Sequence, residues 1–468
     1  MNNSLSFDVV IIGAGPGGYV AAIRAAQLGM NTAVVERSSS LGGTCLNVGC
    51  IPSKALLESS EHYARTLHHL GTHGITVKET FLDLSTTMSR KDAIVKDLTD
   101  GIAVLMKKNK ITVFHGEGTL LGSGRVSVQI TDEGEKVLAA KHVVLAMGSI
   151  PVELPFLPFD GNRIVNSTDA LSFSSIPRHL VVIGAGAVGL ELGSVWKRLG
   201  ADVTVLELLP VITPFADRLA SKTLEKALRG QGLDIRLNTK VTSAEIKKRS
   251  VTLVYETSDG KAETISADKV LVSVGRKAAI EGTGLAGAGV AMEDGKIKID
   301  ENFQTSVEGV YAIGDIVRGP MLAHKASDEG IALMDRLAGK PGHIQYDLIP
   351  NVVYTNPELA QVGKTEEELK EQKIPYNSGR FFFAGNGRAK CLGEEEGMIK
   401  LLAHKETDRL LGAHIVGPRA SELIHELAMV MAFEGSAEDI ALTVHAHPTL
   451  SEALREAALA VSGRAIHR

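Results

Sequence analysis

Short apolar runs rich in β-branched residues recur along this chain, and two of them open the same pattern. Residues 8–12 (DVVII) read as a buried strand. Gly13-Ala14-Gly15-Pro16-Gly17-Gly18 follows, then an alanine-rich helix through about Leu28, a stop at Gly29, and a strand (TAVVE) closing at Glu36. The run LVVIG at 180–184 starts the pattern again. It continues with Gly184-Ala185-Gly186-Ala187-Val188-Gly189, a helix through about Leu199, Gly200, and DVTVLE ending at Glu207. Gly13 and Gly184 are 171 residues apart, as are Glu36 and Glu207.

Each position in the pattern has a physical job. The first glycine (Gly13, Gly184) permits the tight turn, and the second (Gly15, Gly186) lets backbone approach a pyrophosphate. The third (Gly18, Gly189) lets the helix pack close to its strand. The helix start offers unpaired N–H groups and the positive end of its dipole to phosphates. The acid would accept hydrogen bonds from a ribose diol. One copy alone could be only a tight strand-to-helix turn. Two copies point to two bound dinucleotides. A 2′-phosphate would be repelled by Glu207, and no arginine stands beside that residue in the chain, so the second unit favours NAD over NADP.

The remaining patterns place these units in a larger frame. A helix is expected around 89–108, followed by strands in ITVFHGEGTL, RVSVQI and HVVLAMGS. Pro151, Pro155 and Pro158 mark the entry to an insertion that carries the second unit and ends at KVLVSVGR. The last 120 or so residues read as a separate domain. Its strands lie in FFFAG, GMIKLLAH and LLGAHIVG, and its helices at about 420–434 and 449–460. The expected fold class is therefore α/β, with two Rossmann-like dinucleotide-binding domains and an α+β C-terminal domain. The boundaries are 1–149, 150–275, 276–348 (completing the first domain) and 349–468.

Composition narrows the function. At 468 residues the chain supports two to four cores. Its net charge of −5 and the lack of a basic run or aromatic stripe argue against nucleic acid. No apolar run reaches the roughly 18 residues of a membrane span. The N-terminus has no charged segment before its first strand, so no secretory signal is expected and the compartment is read as cytoplasmic.

Three cysteines cannot form a structural disulfide framework, but Cys45 and Cys50 lie five residues apart in LGGTCLNVGCIPSK (41–54). Five residues of ideal helix separate Cα atoms by roughly 8–9 Å, whereas a disulfide needs about 4.4–6.8 Å. A bridge here requires a distorted turn, and Gly49 and Pro52 permit or impose one. Two unbridged core cysteines, or half of a metal site, are the alternatives. Cys391 is distant and no His/Cys cluster surrounds the pair, so no metal is expected. Near the C-terminus, His447 precedes Pro448 and is pushed out of helical geometry. Glu452 falls in the first turns of the next helix, within reach of the imidazole, with Thr449 or Ser451 as a local cap. Such a pair can fix the tautomer and accept a proton from a thiol, or it can be purely structural.

The segment GGTCLNVGCIPSK resembles the active-site segment of the flavoprotein disulfide reductases. YAIGD (311–315) resembles that family's second flavin segment, IPNVVYTNPELAQVG (349–363) the opening of its interface domain, and HAHPTLSE (445–452) its C-terminal catalytic segment. The resemblance covers nearly the whole chain. It implies a Cys45–Cys50 redox disulfide, FAD in the first unit and NAD in the second. Lys54 is implied near the flavin and paired with Glu191. Asp315 would hold the ribitol, with Gly148 and Gly314 beside the flavin and Gly275 on the NAD side; read alone, Asp315 could be a helix cap. The resemblance further implies a homodimer with shared active sites, in which His447, backed by Glu452, serves Cys45 of the partner subunit. The implied reaction is oxidation of protein-bound dihydrolipoyl groups by NAD, within 2-oxo acid dehydrogenase or glycine-cleavage complexes. The lipoyl group would arrive on a separate carrier protein or acyltransferase subunit. A related reductase acting on another disulfide or thiol, or a non-catalytic FAD/NAD sensor or scaffold, are the rival readings. Tyr19, Trp196, Cys391 and His445 are read as packing or incidental.

Overall fold

Val9, Val10 and Ile11 leave water completely when the first strand forms, and each such side chain contributes about 1.5–3 kcal/mol. The strand β1 (Leu5–Ile12) is thereby fixed at the centre of its sheet. In this computed structural model, residues 5–122, 124–130, 134–248 and 250–467 are described. They divide into two compact units. The first takes residues through Ala55, Ser85–Val152 and Gly275–Ile344; the second takes Leu56–Leu84, Glu153–Val274 and Gln345 onward.

In the first unit, β1 has β2 (Thr32–Glu36) on one side and the inner half of β5 (Gly134–Leu145) on the other, both parallel. Strand β3 (Thr112–Gly122) extends the parallel sheet beyond β2, and the late strand Val310–Ala312 extends it beyond β5. The outer ends of β3 and β5 are joined by antiparallel β4 (Arg125–Ile130). The strand order turns around between β1 and β5, which is where α/β sheets hold ligands at their carboxyl edge. Helix α1 (Pro16–Gln27) links β1 to β2, and a later helix, Ala323–Leu337, packs against α1.

The second unit repeats this plan. His179–Ile183 lies between Asp202–Leu206 and Lys269–Val272, with Asp234–Arg236 and Ile164–Val165 outside them, all parallel. An antiparallel meander (Lys240–Ile246, Val251–Glu256, Ala262–Ala267) was not foreseen from the sequence. The C-terminal part is a five-stranded antiparallel sheet in the order 351–353, 358–363, 410–417, 398–404, 376–382. The helices Ala420–Ala432, Ala437–Leu442 and Glu452–Val461 cover it. The α/β class with an α+β C-terminal domain is as expected.

Some local expectations need correction. FFFAG is not a strand: it supplies the last two residues of Tyr376–Phe382 and then tightens into a 3₁₀ turn, Phe383–Gly385. The helix expected at 89–108 begins five residues earlier, at Leu84. The final helix begins at Glu452 without a side-chain cap from Ser451.

Candidate functional site

The two glycine turns superpose bond for bond across the 171-residue offset. Gly13 N–H donates to Val35 C=O at 2.8 Å, and Gly184 N–H to Leu206 C=O at 2.9 Å. Gly13 and Gly184 have φ of +104° and +102°, where a side chain is strained. A Cβ on Gly184 would also lie 2.6 Å from Ser273 O, and one on Gly13 would strike Ala146 O. Glu36 accepts Ala14 N–H at 2.7 Å and Ser38 N–H at 2.9 Å; Glu207 accepts Ala185 N–H at 2.7 Å and Leu209 N–H at 2.8 Å. Both carboxylates are buried and aimed. A carboxylate has about four acceptor sites, so about two remain for a ribose diol.

The helix starts are equally alike. Gly15 and Gly186 are the caps of 12-residue helices that have no side-chain cap and no acid in their first turns. Their leading N–H groups and dipole are therefore available to an anion. A Cβ on Gly186 would meet no atom within 4 Å, and one on Gly15 only Gly43 Cα at 3.9 Å. Each glycine thus borders space that a side chain would fill, which suits a pyrophosphate. The residues present fit FAD in the first unit and NAD in the second. Close to Glu207, Arg236 is engaged elsewhere, with its guanidinium on Asp234 and the Tyr255 hydroxyl.

The cysteine segment is built onto the first glycine turn. Gly42 N–H donates to Ala14 C=O at 2.8 Å, and a Cβ on Gly43 would lie 2.6 Å from Gly15 Cα. Asn47 ties the segment to itself by donating to Leu41 and Gly43 C=O at 3.0 Å each. Cys45 lies in the short helix α2 (Gly43–Val48), and Cys50 opens the long helix α3 (Cys50–His68). Between them Gly49, at φ −143° and ψ −111°, breaks the helical path. The departure from helical geometry falls at Gly49. Pro52 sits in the first turn of α3, where its missing N–H costs no helix bond.

The turn brings Cys45 and Cys50 together, as a thiol–disulfide couple requires. The two sulfurs are in hydrogen-bond contact, as befits the reduced member of the same couple. That bond, then burial, then charge on Cys50, hold the Cys45 thiol well above the usual thiol range, while Lys54 opposes them. Cys50 occupies the helix start, which favours negative charge on sulfur. Tyr19, expected only to pack, lies close enough to Cys45 for a thiolate there to raise its hydroxyl, though burial is the larger cause.

Asp315 lies in the turn Gly314–Ile316, and Leu322 rather than Asp315 caps the helix that follows. Ser149 Oγ donates to Asp315 Oδ2 at 2.5 Å. Arg276 Nε donates to Ser149 Oγ at 2.7 Å, and its Nη2 to Ser149 C=O at 2.6 Å. Burial lowers Arg276 from its ordinary value, against the opposing charges of Asp315 and Cys50. Gly148 and Gly275 flank the two-stranded ladder (Ser149–Pro151 with Arg276–Ala278) that carries this network. Sequence reasoning reached the glycines but missed Ser149 and Arg276.

In the C-terminal domain, His447 Nδ1 is 2.9 Å from Glu452 Oε1, and Glu452 Oε2 accepts Thr449 N–H at 2.9 Å. Burial would raise Glu452, but the Thr449 N–H and the imidazole hold it below the usual carboxylate range. The His447 side chain is 79% exposed, so its remaining nitrogen can meet something outside the fold. Asn386, absent from the sequence reading, steadies this loop by donating to Thr449 C=O at 3.0 Å. Gly379 lets the helix of Glu452 lie directly on its sheet, since a Cβ there would strike Ala457 O. His445 is tied to Glu426 (2.9 Å) and Thr443 C=O (2.9 Å) as a fixed part of the loop. Glu191 is buried and accepts Tyr354 N–H at 3.0 Å; Lys54 lies in the first turns of α3. Trp196 is core, donating to Ala170 C=O at 3.1 Å. Cys391 is exposed.

Two glycine cradles, a vicinal thiol pair and a His–Glu pair define a dinucleotide-dependent dithiol oxidoreductase. Residues 7–330 match the family described as pyridine nucleotide-disulphide oxidoreductase, and residues 349–458 match that family's dimerisation domain. The chain belongs to this family. Dihydrolipoyl dehydrogenase 3 of Pseudomonas putida is 52% identical over 463 residues, covering 98% of this chain and 99% of that protein. The mitochondrial dihydrolipoyl dehydrogenase of Pisum sativum is 50% identical over 462 residues, 98% of this chain and 92% of that one. Among solved structures, LpdA from Mycobacterium tuberculosis has a TM-score of 0.89 at 26% identity, covering 97% of this chain and 99% of that one.

Proposed function

We infer that this chain is a dihydrolipoyl dehydrogenase, oxidising dihydrolipoyl groups to lipoyl groups with NAD as the final acceptor. The observation that carries this reading is the Cys45–Cys50 thiol contact across the Gly49 break, built directly onto a dinucleotide cradle. FAD, when bound, supplies a two-electron link between the sulfur pair and NAD. Gly15 and the start of α1 would hold its pyrophosphate, Glu36 its adenosine ribose and Asp315 its ribitol. Gly186, Glu207 and the second helix start would hold NAD.

The chain's own residues then do the following. With the pair oxidised, a substrate thiolate attacks Cys45 Sγ; the Cys45–Cys50 bond breaks and Cys50 leaves as a thiolate at its helix start. The second substrate sulfur attacks the first, closing the lipoyl ring and releasing Cys45. The substrate loses two electrons and the sulfur pair gains them. His447 takes the thiol proton, with Glu452 fixing its tautomer and stabilising the imidazolium.

The catalytic and cofactor roles named here are proposals, as is the division of labour between the cysteines. We also propose a homodimer with shared sites. Its support is that the His447 pair stands exposed on the dimerisation domain, as a base serving another subunit must. The proposed partner is a lipoyl-bearing carrier or acyltransferase subunit, and the proposed compartment is the cytoplasm. No helix among the described residues is long and apolar enough to cross a membrane.

The test is NAD reduction by dihydrolipoamide, comparing wild type with Cys45→Ser. Turnover with NAD far above NADP, abolished in the variant, is expected. Equal turnover with NADP, or an unaffected variant, would defeat the reading.

A further inference from the structure

Asp315, which the proposed function sets on the ribitol, follows Gly314, a residue in the left-handed region at φ +80°. Both backbone groups of Gly314 are held by one ion pair. Glu329 Oε2 accepts Gly314 N–H at 2.7 Å, and Lys325 Nζ donates to Gly314 C=O at 2.9 Å. Lys325 and Glu329 are 2.9 Å apart, one turn from each other on the helix Ala323–Leu337, and both side chains are 0% exposed.

A fully buried ion pair is a poor way to stabilise a core. Apolar residues of like volume do as well or better, because desolvating two charges offsets their attraction. What a buried pair adds is geometric specificity. Here its spare donor and acceptor both read one residue, which fixes the direction of the chain entering Asp315. The same helix is also registered against α1. A Cβ on Gly17 would lie 3.3 Å from Ala326 Cβ, and one on Gly330 would lie 2.7 Å from Gly17 O. Ser327 Oγ reaches Pro16 C=O at 3.4 Å, and Arg24 Nε reaches Asp335 Oδ1 at 2.8 Å. Helix α1 begins at the pyrophosphate turn. One rigid element therefore touches both the Gly13–Gly18 turn and the Gly314–Asp315 turn.

We propose that Lys325 and Glu329 are positioning residues for the flavin nucleotide: they hold the Gly314–Asp315 turn at a set distance from the Gly13–Gly18 turn, so that the ribitol and pyrophosphate of one FAD fit both at once. On its far side the Asp315 carboxylate is held by Ser149, itself held by Arg276, so the acid is fixed from two directions. The inference rests on the FAD reading above. It adds two residues that touch neither cofactor nor substrate and act through Gly314.

The test uses the full chain as holoenzyme and as FAD-stripped apoprotein, comparing wild type with Lys325→Met/Glu329→Met. The double change avoids leaving one buried charge alone. FAD affinity is read by quenching of flavin fluorescence, and melting is followed with and without FAD. The expected result is an apoprotein that melts within about 4 °C of wild type, with the FAD dissociation constant raised at least tenfold and the FAD-induced rise in melting temperature reduced to match. Should the double variant fail to fold, Lys325→Met, which strips the donor from Gly314 C=O while the Glu329 carboxyl can stay neutral by taking up a proton, is judged by the same criteria. Unchanged FAD affinity overturns the inference, because the pair would then be dispensable for the cofactor. Equal loss of melting temperature with and without FAD also overturns it, because the pair would then serve the fold alone. A wild-type chain that takes up no FAD overturns the cofactor reading and this inference with it.

Discussion

Replacing Glu207 by glutamine tests the nucleotide reading at a single atom pair. The wild-type carboxylate is buried and accepts two backbone N–H groups, from Ala185 at 2.7 Å and Leu209 at 2.8 Å. Its remaining lone pairs, about two, are what a ribose diol would use. Glutamine nearly preserves the shape but has one acceptor oxygen. Its amide must abandon one backbone N–H or one ribose hydroxyl, and the charge is gone in either case. A hydrogen bond to a charged group is worth about 1.5–3 kcal/mol, so kcat/KM for NAD should fall about 10- to 150-fold. Use of NADP should fall less or rise, since the carboxylate no longer repels a 2′-phosphate. Steady-state rates with dihydrolipoamide and varied NAD or NADP give both numbers, and the flavin-to-protein absorbance ratio checks that FAD is retained. A kcat/KM for NAD within threefold of wild type, or loss of FAD in parallel, would refute the assignment of Glu207 to NAD. The sister change Glu36→Gln should do the reverse, weakening FAD while leaving the NAD/NADP ratio alone.

Other outcomes follow from the same geometry. Gly189→Ala drives a Cβ into Gly184 O; the chain should still bind FAD, as shown by its flavin absorbance, but lose NAD binding measured by calorimetry. Glu452→Gln removes a charge-assisted bond to His447, and kcat with dihydrolipoamide should drop by about tenfold or more while the melting temperature changes little. For pH, Glu366 is informative. Burial would raise it, but bonds from Lys370, Lys400 and Tyr376 hold it at about 2. Its folded value lies below its unfolded one, so its contribution to stability is full above the unfolded value and is lost as pH falls toward about 2. Urea midpoints should therefore fall more steeply with acid in wild type than in Glu366→Gln, below about pH 4.5. Parallel curves would refute the role of this carboxylate.

Much of the site was legible because its chemistry is local in the chain. Each glycine cradle lies within about 24 residues, and its turn, helix and acid carry separate signals that agree. The cysteine spacing demanded a broken helix, and Gly49 supplies the break. His447 and Glu452 are five residues apart, so their contact could be read before it was seen. What escaped was non-local. Ser149 meets Asp315 across 166 positions of chain, Arg276 meets Ser149 across 127, and neither has a motif of its own. Lys325 and Glu329 sit at ordinary helical spacing, where a solvent-facing pair is the usual reading; only tertiary burial distinguishes them. The same holds for Asp217 and Lys400, which join the start of a helix in the inserted domain to the C-terminal sheet at 2.7 Å across 183 positions. Boundary errors such as FFFAG arose because an apolar run marks burial and not extension: Phe383 is fully buried, yet it lies in a 3₁₀ turn.

The central claim is that Cys45 and Cys50 alternate between thiols and a disulfide during turnover. The direct measurement is to block thiols with iodoacetamide under denaturing conditions, before and after anaerobic reduction of the air-equilibrated holoenzyme by NADH, and to map the label by mass spectrometry. Label confined to Cys391 before reduction, and gained at both Cys45 and Cys50 afterwards, is the predicted result. Equal labelling of Cys45 and Cys50 before and after NADH would contradict the account.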